Sequence, residues 1–468
     1  MTHNKDFCPE GSALGASSKP SQWGLFRFFG GSFSPCLFEP SSRNWTTFQL
    51  RRSVTREQKG EKMAQNPPSM KEGIQNFSVP GFTIGATAAG LKPNGKLDLC
   101  VLVSDRPSTA AAVFTRNRIV GEPVKLDRLH LKHATHRAVV VNAKYSNVCT
   151  GDEGYRNARE MASTVAELVG CETEEVFVAS TGIIGQQMPM DRALPGIRAA
   201  FEARATDGWE QAAHAIMTTD TFPKAVSRTV QVNGSTVTLG GIAKGSGMIH
   251  PNMATMLCFL ATDAAIEKHT LQEMLRRVAD RSFNCVTVDG DTSTSDSMIL
   301  LANGLAGNKV IQGPGPDLRA FEQALEDICV RLARAIARDG EGAQHLITVK
   351  VSGARTDKAA HQIAETVATS PLVKTAIAGR DANWGRIAAA AGRAGVPFSP
   401  SSLTLRMNDT LLFEQGQPVP FDDPALSRSL AEPDVEIEIG VGDGVGKATV
   451  WTCDLTHEYI SINGDYRS

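Results

Sequence analysis

From about Val79 the chain is punctuated by short apolar runs bounded by turn residues. "KLDLCVLVSD", "HRAVVVNA" and "EEVFVAST" carry the pattern of buried strands. Between them lie helical periods. In "PDLRAFEQALEDICVRLARAIARDGEG", Leu318, Phe321, Leu325, Ile328, Cys329, Leu332 and Ile336 recur at intervals that place them on one face of a helix. Asp317 is positioned to cap its start and Gly340 to end it. "TLQEMLRRVADRS" predicts another helix, running into "FNCVTVDGD" as a strand. Near the end, "VEIEIGVGDGVGKATVWTCDL" alternates, turns at glycines and alternates again, which predicts a hairpin. Strands and helices intermix throughout, so the class is α/β or α+β with helices covering sheets. The Gly/Pro-rich "GNKVIQGPGPD" (307–317) is an expected unit boundary.

Composition narrows the function. The 468 residues are enough for two or three structural units, and 41% hydrophobic residues can fill a sizeable core. A formal net charge of −2 argues against a general grip on nucleic acid or an acidic membrane. The nine cysteines are scattered with no C-x-x-C pair, which indicates neither a zinc site nor a disulfide framework. A reducing, cytoplasmic setting is expected. No run reaches the eighteen apolar residues of a membrane span.

Residues 1–70 differ from the rest of the chain: they are rich in Ser, Gly, Pro and aromatics and lack a sustained period. An organelle-import peptide would be poor in acids, whereas Asp6, Glu10, Glu39, Glu57 and Glu61 stand here. A disordered extension, or a start at Met63, is the expectation.

Two tempting motifs fail on spacing. In "GVGDGVGKAT" Val441 occupies the first glycine position of a phosphate loop and Ala448 its hydroxyl position. His130, His133 and His136 in "LHLKHATH" lack an accompanying carboxylate or cysteine, so a solvated helix end is expected there rather than a metal site.

"AKGSGMIHPNMATMLCFL" is harder to dismiss. A glycine-rich loop runs through Ala254 into Thr255 and then directly into an apolar strand. A threonine hydroxyl is a poor nucleophile unless a base takes its proton, and a free α-amine on the same residue can serve. An internal threonine gains that amine only if its hydroxyl attacks the preceding carbonyl and the bond is then hydrolysed. The small Ala254 leaves its carbonyl accessible. Four other segments concentrate polar chemistry: "VASTGIIGQ" with Thr181-Gly182 just past a strand, "IMTTDTFPK" around Asp220, "VTVDGDTSTSD", and "RDGEG" with Glu341 beyond the long helix. A glycine after a buried strand lets backbone N–H groups approach a ligand, as an oxyanion hole requires.

Taken with "DANWGRI" and the ending "WTCDLTHEYISINGDYRS", these segments resemble the ornithine acetyltransferase family of arginine biosynthesis over about residues 76–468. The resemblance implies an α/β fold with stacked β-sheets between helical layers (αββα-like), self-cleaved at Ala254–Thr255. Residues 71–254 would form the α chain and residues 255–468 the β chain, assembled as an α2β2 heterotetramer. It further implies Thr255 as nucleophile and Thr181 and Gly182 as the oxyanion pair, with substrate contacts at Thr218, Lys244, Thr255, Glu341, Asn463 and Ser468. The implied reaction moves acetyl from N2-acetylornithine to glutamate through acetyl-Thr255. It needs no metal or organic cofactor; acetyl-CoA is an additional donor in bifunctional members. The chain departs from the family pattern at Lys144-Tyr145-Ser146, where a smaller segment is usual, and at Ser468, where threonine is common. A self-cleaving aminopeptidase of similar architecture, with water as acceptor, is the competing expectation.

Overall fold

The structure is a computed structural model that describes residues 77–250 and 256–465, all within the compact unit Asn66–Ser468. Residues 1–70, Ala254, Thr255 and Ser468 lie outside the described residues.

The first layer system is built on β1 (Phe82–Thr87), β2 (Leu99–Phe114), β3 (His136–Asn142), β4 (Val176–Ser180), β5 (Lys224–Val232), β6 (Ser235–Lys244), β7 (Leu257–Thr262) and β8 (Ser297–Ala302). Their order is β4-β3-β2-β8-β7-β6-β5, with β1 antiparallel on β2. The long β2 serves two sheets. Leu99–Val103 pair with β3, the register breaks at the exposed Asp105-Arg106-Pro107, and Thr109–Phe114 pair with β8. Period-two alternation then gives each sheet two buried faces. Cys100, Leu102, Val139, Val141 and Phe177 from one sheet meet Ala112, Phe259, Ala261, Ile299 and Leu301 from the other in a common core.

Helices close the outer faces. Of α1 (Glu122–His130), α2 (Gly151–Val169), α3 (Met190–Glu202) and α4 (Trp209–Ile216), α2 and α3 pack Met161, Val165 and Ile197 against Val101 and Val140. On the far side α5 (Lys268–Arg281) and α6 (Pro316–Arg338) pack Leu275, Phe321, Leu325 and Ile328 against Leu260 and Leu300. The helix–sheet–sheet–helix order expected from the resemblance is the observed one.

A separate six-stranded sheet comes next: β9 (Leu346–Gly353), β10 (Thr404–Met407), β11 (Thr410–Glu414), β12 (Gln417–Pro418), β13 (Asp434–Gly440) and β14 (Gly444–Cys453), in the order β12-β11-β10-β13-β9-β14. Its apolar face, including Val349, Leu405, Ile437 and Ile439, takes α7 (Asp357–Ala368), α8 (Pro371–Ala378), α9 (Trp384–Gly392) and α10 (Asp423–Ser429). On the opposite face the half-exposed Lys350 pairs with Glu436 and Glu438. The chain then enters α11 (His457–Asp465).

Several local expectations are corrected. The hairpin expected over 435–455 does not form, because β9 lies between β13 and β14, parallel to the first and antiparallel to the second. The glycine-rich link passes over the end of β9, where Val441 N donates to Ser352 O at 3.0 Å and Gly446 N to Ala354 O at 2.9 Å. Alternation identifies a strand; it does not identify the strand's neighbour. Residues 283–291 form no strand either. Thr287 N donates to Trp451 O and Val288 N to Ile249 O, so successive bonds go to two different segments and no ladder propagates. The Gly/Pro stretch 307–317 is a connector inside one core rather than a unit boundary, since Leu300, Ile311 and Phe321 pack in the same cluster. Asp317 leaves the α6 N-terminus uncapped; its carboxylate instead accepts Asn233 N in the β5–β6 turn. The helix ends at Arg338, with Asp339 rather than Gly340 as its cap position. The histidine series is not solvated as expected. His130 and His136 are buried, bonded to Val176 O and His130 O, and His136 stacks on Phe177.

Candidate active site

The loops at one end of the first two sheets converge on a buried ion cluster. Asp220 follows α4, and its Oδ1 accepts both Lys224 Nζ at 2.7 Å and Gly245 N at 2.7 Å, while Oδ2 accepts Thr218 N at 2.9 Å. Lys224 Nζ also donates to Asp339 Oδ2 at 2.6 Å, just past the end of α6. Burial pushes the Asp220 carboxyl up, but Lys224 and Lys244 outweigh it and hold it below the usual carboxylate range. Removing one member of a buried pair leaves an uncompensated charge, worth about 3–5 kcal/mol, whereas an exposed pair such as Arg276–Glu273 is worth about 0–1 kcal/mol. The cluster therefore sets the geometry of the loop that begins at Gly245. The three hydroxyls expected around Asp220 divide: Thr219 bonds Ser246 at 2.6 Å, Thr221 bonds Asp339, and Thr218 contributes its backbone N–H to Asp220.

Lys244, the last residue of β6, is buried and has no carboxylate within ion-pair distance among the described residues. Burial lowers the pKa of its ammonium, and Asp220 works against that. It lines a small polar cavity together with Thr181, Met256, Leu257, Ser293, Ser295 and Asp296. Thr181 and Lys244, far apart in sequence, thus meet beside Met256, the residue that follows Thr255.

The Thr181-Gly182 geometry is specific. Thr181 N donates to Asn142 O at 3.1 Å, so among its donors only the hydroxyl, unbonded to the described residues, is free to face the cavity. Gly182 sits at φ 131°, and a Cβ there would lie 2.2 Å from the Lys144 carbonyl carbon, so only glycine fits. Its N–H has no hydrogen-bond acceptor among the described residues. The departure at Lys144-Tyr145-Ser146 lies directly against this turn. Ile183 N donates to Lys144 O at 2.9 Å, and Lys144 itself adopts φ 85°, a conformation that favours glycine.

Glu341 lies beyond α6, its N–H bonded to Ser246 O at 2.9 Å and its Oε2 accepting Asn463 Nδ2 at 2.8 Å from α11. A Cβ on Gly247 would come within 2.4 Å of the Glu341 carboxyl carbon, so this glycine is what admits the carboxylate against the loop. Glu341, Asn463 and the loop 245–247 form one group, and Thr218 joins it through Asp220 and Gly245.

The segment "VDGDTSTSD" makes contacts that its polarity alone does not reveal. Asp289 Oδ2 accepts Met248 N at 2.6 Å and Oδ1 accepts Ile249 N at 2.9 Å, fixing the approach to Ala254. Asp296 Oδ1 accepts Met256 N at 2.9 Å, fixing the exit from Thr255. Asp296 Oδ2 is buried with no hydrogen-bond partner among the described residues. The available sequence signal is an acid placed between a hydroxyl-rich loop and the strand "SMILLA". Lys224 and Asp339 lie within "IMTTDTFPK" and "RDGEG", but their pairing carries no such signal, because nothing local links the end of α6 to the start of β5. No cluster of metal-binding side chains occurs among the described residues, and no helix there is long and apolar enough to cross a membrane.

The sequence model of the ArgJ family matches residues 83–468. The arginine biosynthesis bifunctional protein ArgJ of Symbiobacterium thermophilum is 48% identical over 390 residues, covering 83% of this chain and 97% of its own length. Two solved structures are also similar. The arginine biosynthesis bifunctional protein of Bacillus halodurans is 41% identical with a TM-score of 0.43, over 44% of this chain and 96% of its own. The ornithine acetyltransferase of Mycobacterium tuberculosis, solved with ornithine, is 34% identical with a TM-score of 0.34, over 38% and 96% respectively.

Proposed function

We propose, from the premise that the chain belongs to the ArgJ family, that it passes acetyl from N2-acetylornithine to glutamate through an acetyl-Thr255 intermediate. The observation that carries this reading is the small polar cavity in which Thr181 and Lys244 meet beside Met256. In the first half-reaction Thr255 Oγ attacks the acetyl carbonyl, the α-amine of Thr255 takes the hydroxyl proton, and ornithine leaves with a proton returned to its nitrogen. In the second, the glutamate amine attacks the acetyl ester and Thr255 Oγ is released.

Both half-reactions pass through a tetrahedral oxyanion, so one pair of donors serves twice. The Thr181 hydroxyl and the Gly182 N–H are assigned that role; each such donor is worth about 3–4 kcal/mol of barrier. Lys244 is assigned the α-carboxylate that both amino acids carry: its ammonium is buried and makes no ion pair with a carboxylate among the described residues. Glu341, steadied by Asn463, is assigned the side-chain ammonium of the ornithine moiety, with Thr218 and the terminal Ser468 as further substrate contacts. The same Thr255 would cleave the precursor at Ala254–Thr255.

Steady-state kinetics should be ping-pong, because acetyl rests on the enzyme between substrates. Mass spectrometry after incubation with acetylornithine alone should find one added acetyl group on the fragment that begins at Thr255, with ornithine released. Intersecting initial-rate lines without a trapped acetyl fragment would point to direct transfer. Free acetate formed without an acceptor would point to a hydrolase.

Lys244→Ala should raise KM for both amino acids about ten- to a hundredfold, the worth of a charge-assisted hydrogen bond, with a smaller change in kcat. The comparison uses fully cleaved protein of matched melting temperature. An unchanged KM would remove Lys244 from carboxylate binding.

A further inference from the structure

Precursor cleavage poses a problem that the mature reaction does not. Before the Ala254–Thr255 bond breaks, the nitrogen of Thr255 is an amide and cannot accept a proton. The α-amine that serves acetyl transfer is a product of cleavage, so the first attack by Thr255 Oγ needs another base. That need rests on the proposed role of Thr255.

The carboxylates around the site are unequal candidates. Both oxygens of Asp220 are occupied, by Lys224 and Gly245 on one side and Thr218 on the other. Asp289 spends both on Met248 N and Ile249 N. Glu341 accepts Asn463, and its carboxylate is held against Gly247. Asp296 differs in three respects. It lines the cavity with Thr181 and Lys244, its Oδ1 holds the amide of the residue next to Thr255, and its Oδ2 is buried with no hydrogen-bond partner among the described residues. An unpartnered buried carboxylate oxygen is costly to the fold, and such a cost persists where the atom has work to do.

We infer that Asp296 is the general base of precursor cleavage, holding Met256 with Oδ1 and taking the Thr255 hydroxyl proton on Oδ2. The Thr255 Oγ electron pair forms a bond to the Ala254 carbonyl carbon, and the carbonyl π pair moves onto oxygen. The tetrahedral adduct collapses by breaking the C–N bond, and the Thr255 nitrogen leaves with the proton that Asp296 returns. This leaves an Ala254–Thr255 ester, a free α-amine and Asp296 as carboxylate. Water then adds to the ester carbonyl and the C–Oγ bond breaks, giving the Ala254 carboxylate, the Thr255 hydroxyl and one proton released.

The electrostatics suit the role. Burial pushes the Asp296 carboxyl well above the ordinary range, which makes its ionised form a stronger base. Among the described residues the one charged side chain facing it across the cavity is Lys244, which opposes that shift together with the Met256 N–H and the nearby Thr115 and Ser293 hydroxyls, with Asp220, Lys224 and Glu341 grouped around Lys244 in turn. A base with a raised pKa is ionised only above that pKa, so cleavage should speed up as pH rises through it.

The test tracks full-length chain made by pulse-labelled cell-free translation and shifted into buffers from about pH 5 to about pH 9, scored as conversion to two fragments. Wild type should convert faster with rising pH and then level off. Asp296→Asn keeps an oxygen for Met256 N but no base. It should slow conversion by about a hundredfold or more at the wild-type plateau while retaining the wild-type melting temperature. Asp296→Ala separates support of the backbone from proton transfer. If Asn converts less than about a hundredfold slower than wild type, whether or not Ala fails, Asp296 only steadies Met256 and the inference is overturned. Conversion of wild type at a pH-independent rate overturns it equally. Wild type that is never cut between Ala254 and Thr255 would instead sink the reading of Thr255 on which it rests.

Discussion

Thr255→Ala should remain a single full-length chain and show no acetyl transfer. The substitution removes one hydroxyl, and with it both proposed events: attack on the Ala254 carbonyl and formation of the acetyl ester. Without cleavage there is also no free α-amine to act as base in the transfer reaction. Three losses follow from one oxygen atom, so activity should fall to the detection limit rather than by a graded factor. N-terminal sequencing of purified wild type should yield a second chain beginning Thr-Met-Leu-Cys. Cleavage of the alanine variant at the same bond would assign the cut to an outside protease. Thr255→Ser tests the chemistry from the other side, since it keeps the oxygen and the amine and should mature with only a modest loss of rate.

Thr181→Ala should lower kcat by about 10²–10³ with little change in KM for acetylornithine. Negative charge on the acetyl oxygen exists only in the tetrahedral states, so a donor aimed at it contributes nothing to substrate binding. The structure sharpens the prediction. Because the Thr181 N–H is already bonded to Asn142 O, the hydroxyl alone is available to the cavity. Thr181→Ser should therefore retain activity within about tenfold, and Thr181→Val, which keeps the shape, should lose as much as alanine. Each variant must be compared as fully cleaved protein, because precursor cleavage forms an oxyanion too and could draw on the same hydroxyl. A raised KM with unchanged kcat in cleaved Thr181→Ala would make this residue a binding group. Equal losses in serine and alanine variants would show that the hydroxyl is not the donor.

Much of this protein is legible in one dimension wherever the deciding physics is local. Apolar periodicity placed the first half of β2, together with β3, β4, α5 and α6, since burial on one face of a helix or both faces of a strand writes itself into residues a few positions apart. The segments containing Thr181, Lys244, Glu341 and Asn463 stood out by polar chemistry and by their resemblance to one family. What the sequence did not carry is adjacency. That β9 separates β13 from β14 is decided by a strand about eighty residues upstream, which no alternation in the last segment encodes. That His130 and His136 are buried reflects the packing of β4 beneath α1. The same holds in the active site. Asp339 neutralises Lys224 across 115 positions of sequence, and Asp296 reaches Met256 across 40. Such long-range contacts leave no local period, because the side chains involved are polar, isolated and spaced by the loops that bring them together. The sequence alone determined which residues could do chemistry and which segments could be buried. Only the tertiary structure decided that Thr181, Lys244, Asp296 and Met256 share one cavity, because that requires four chain segments to be closed against each other by the two packed sheets.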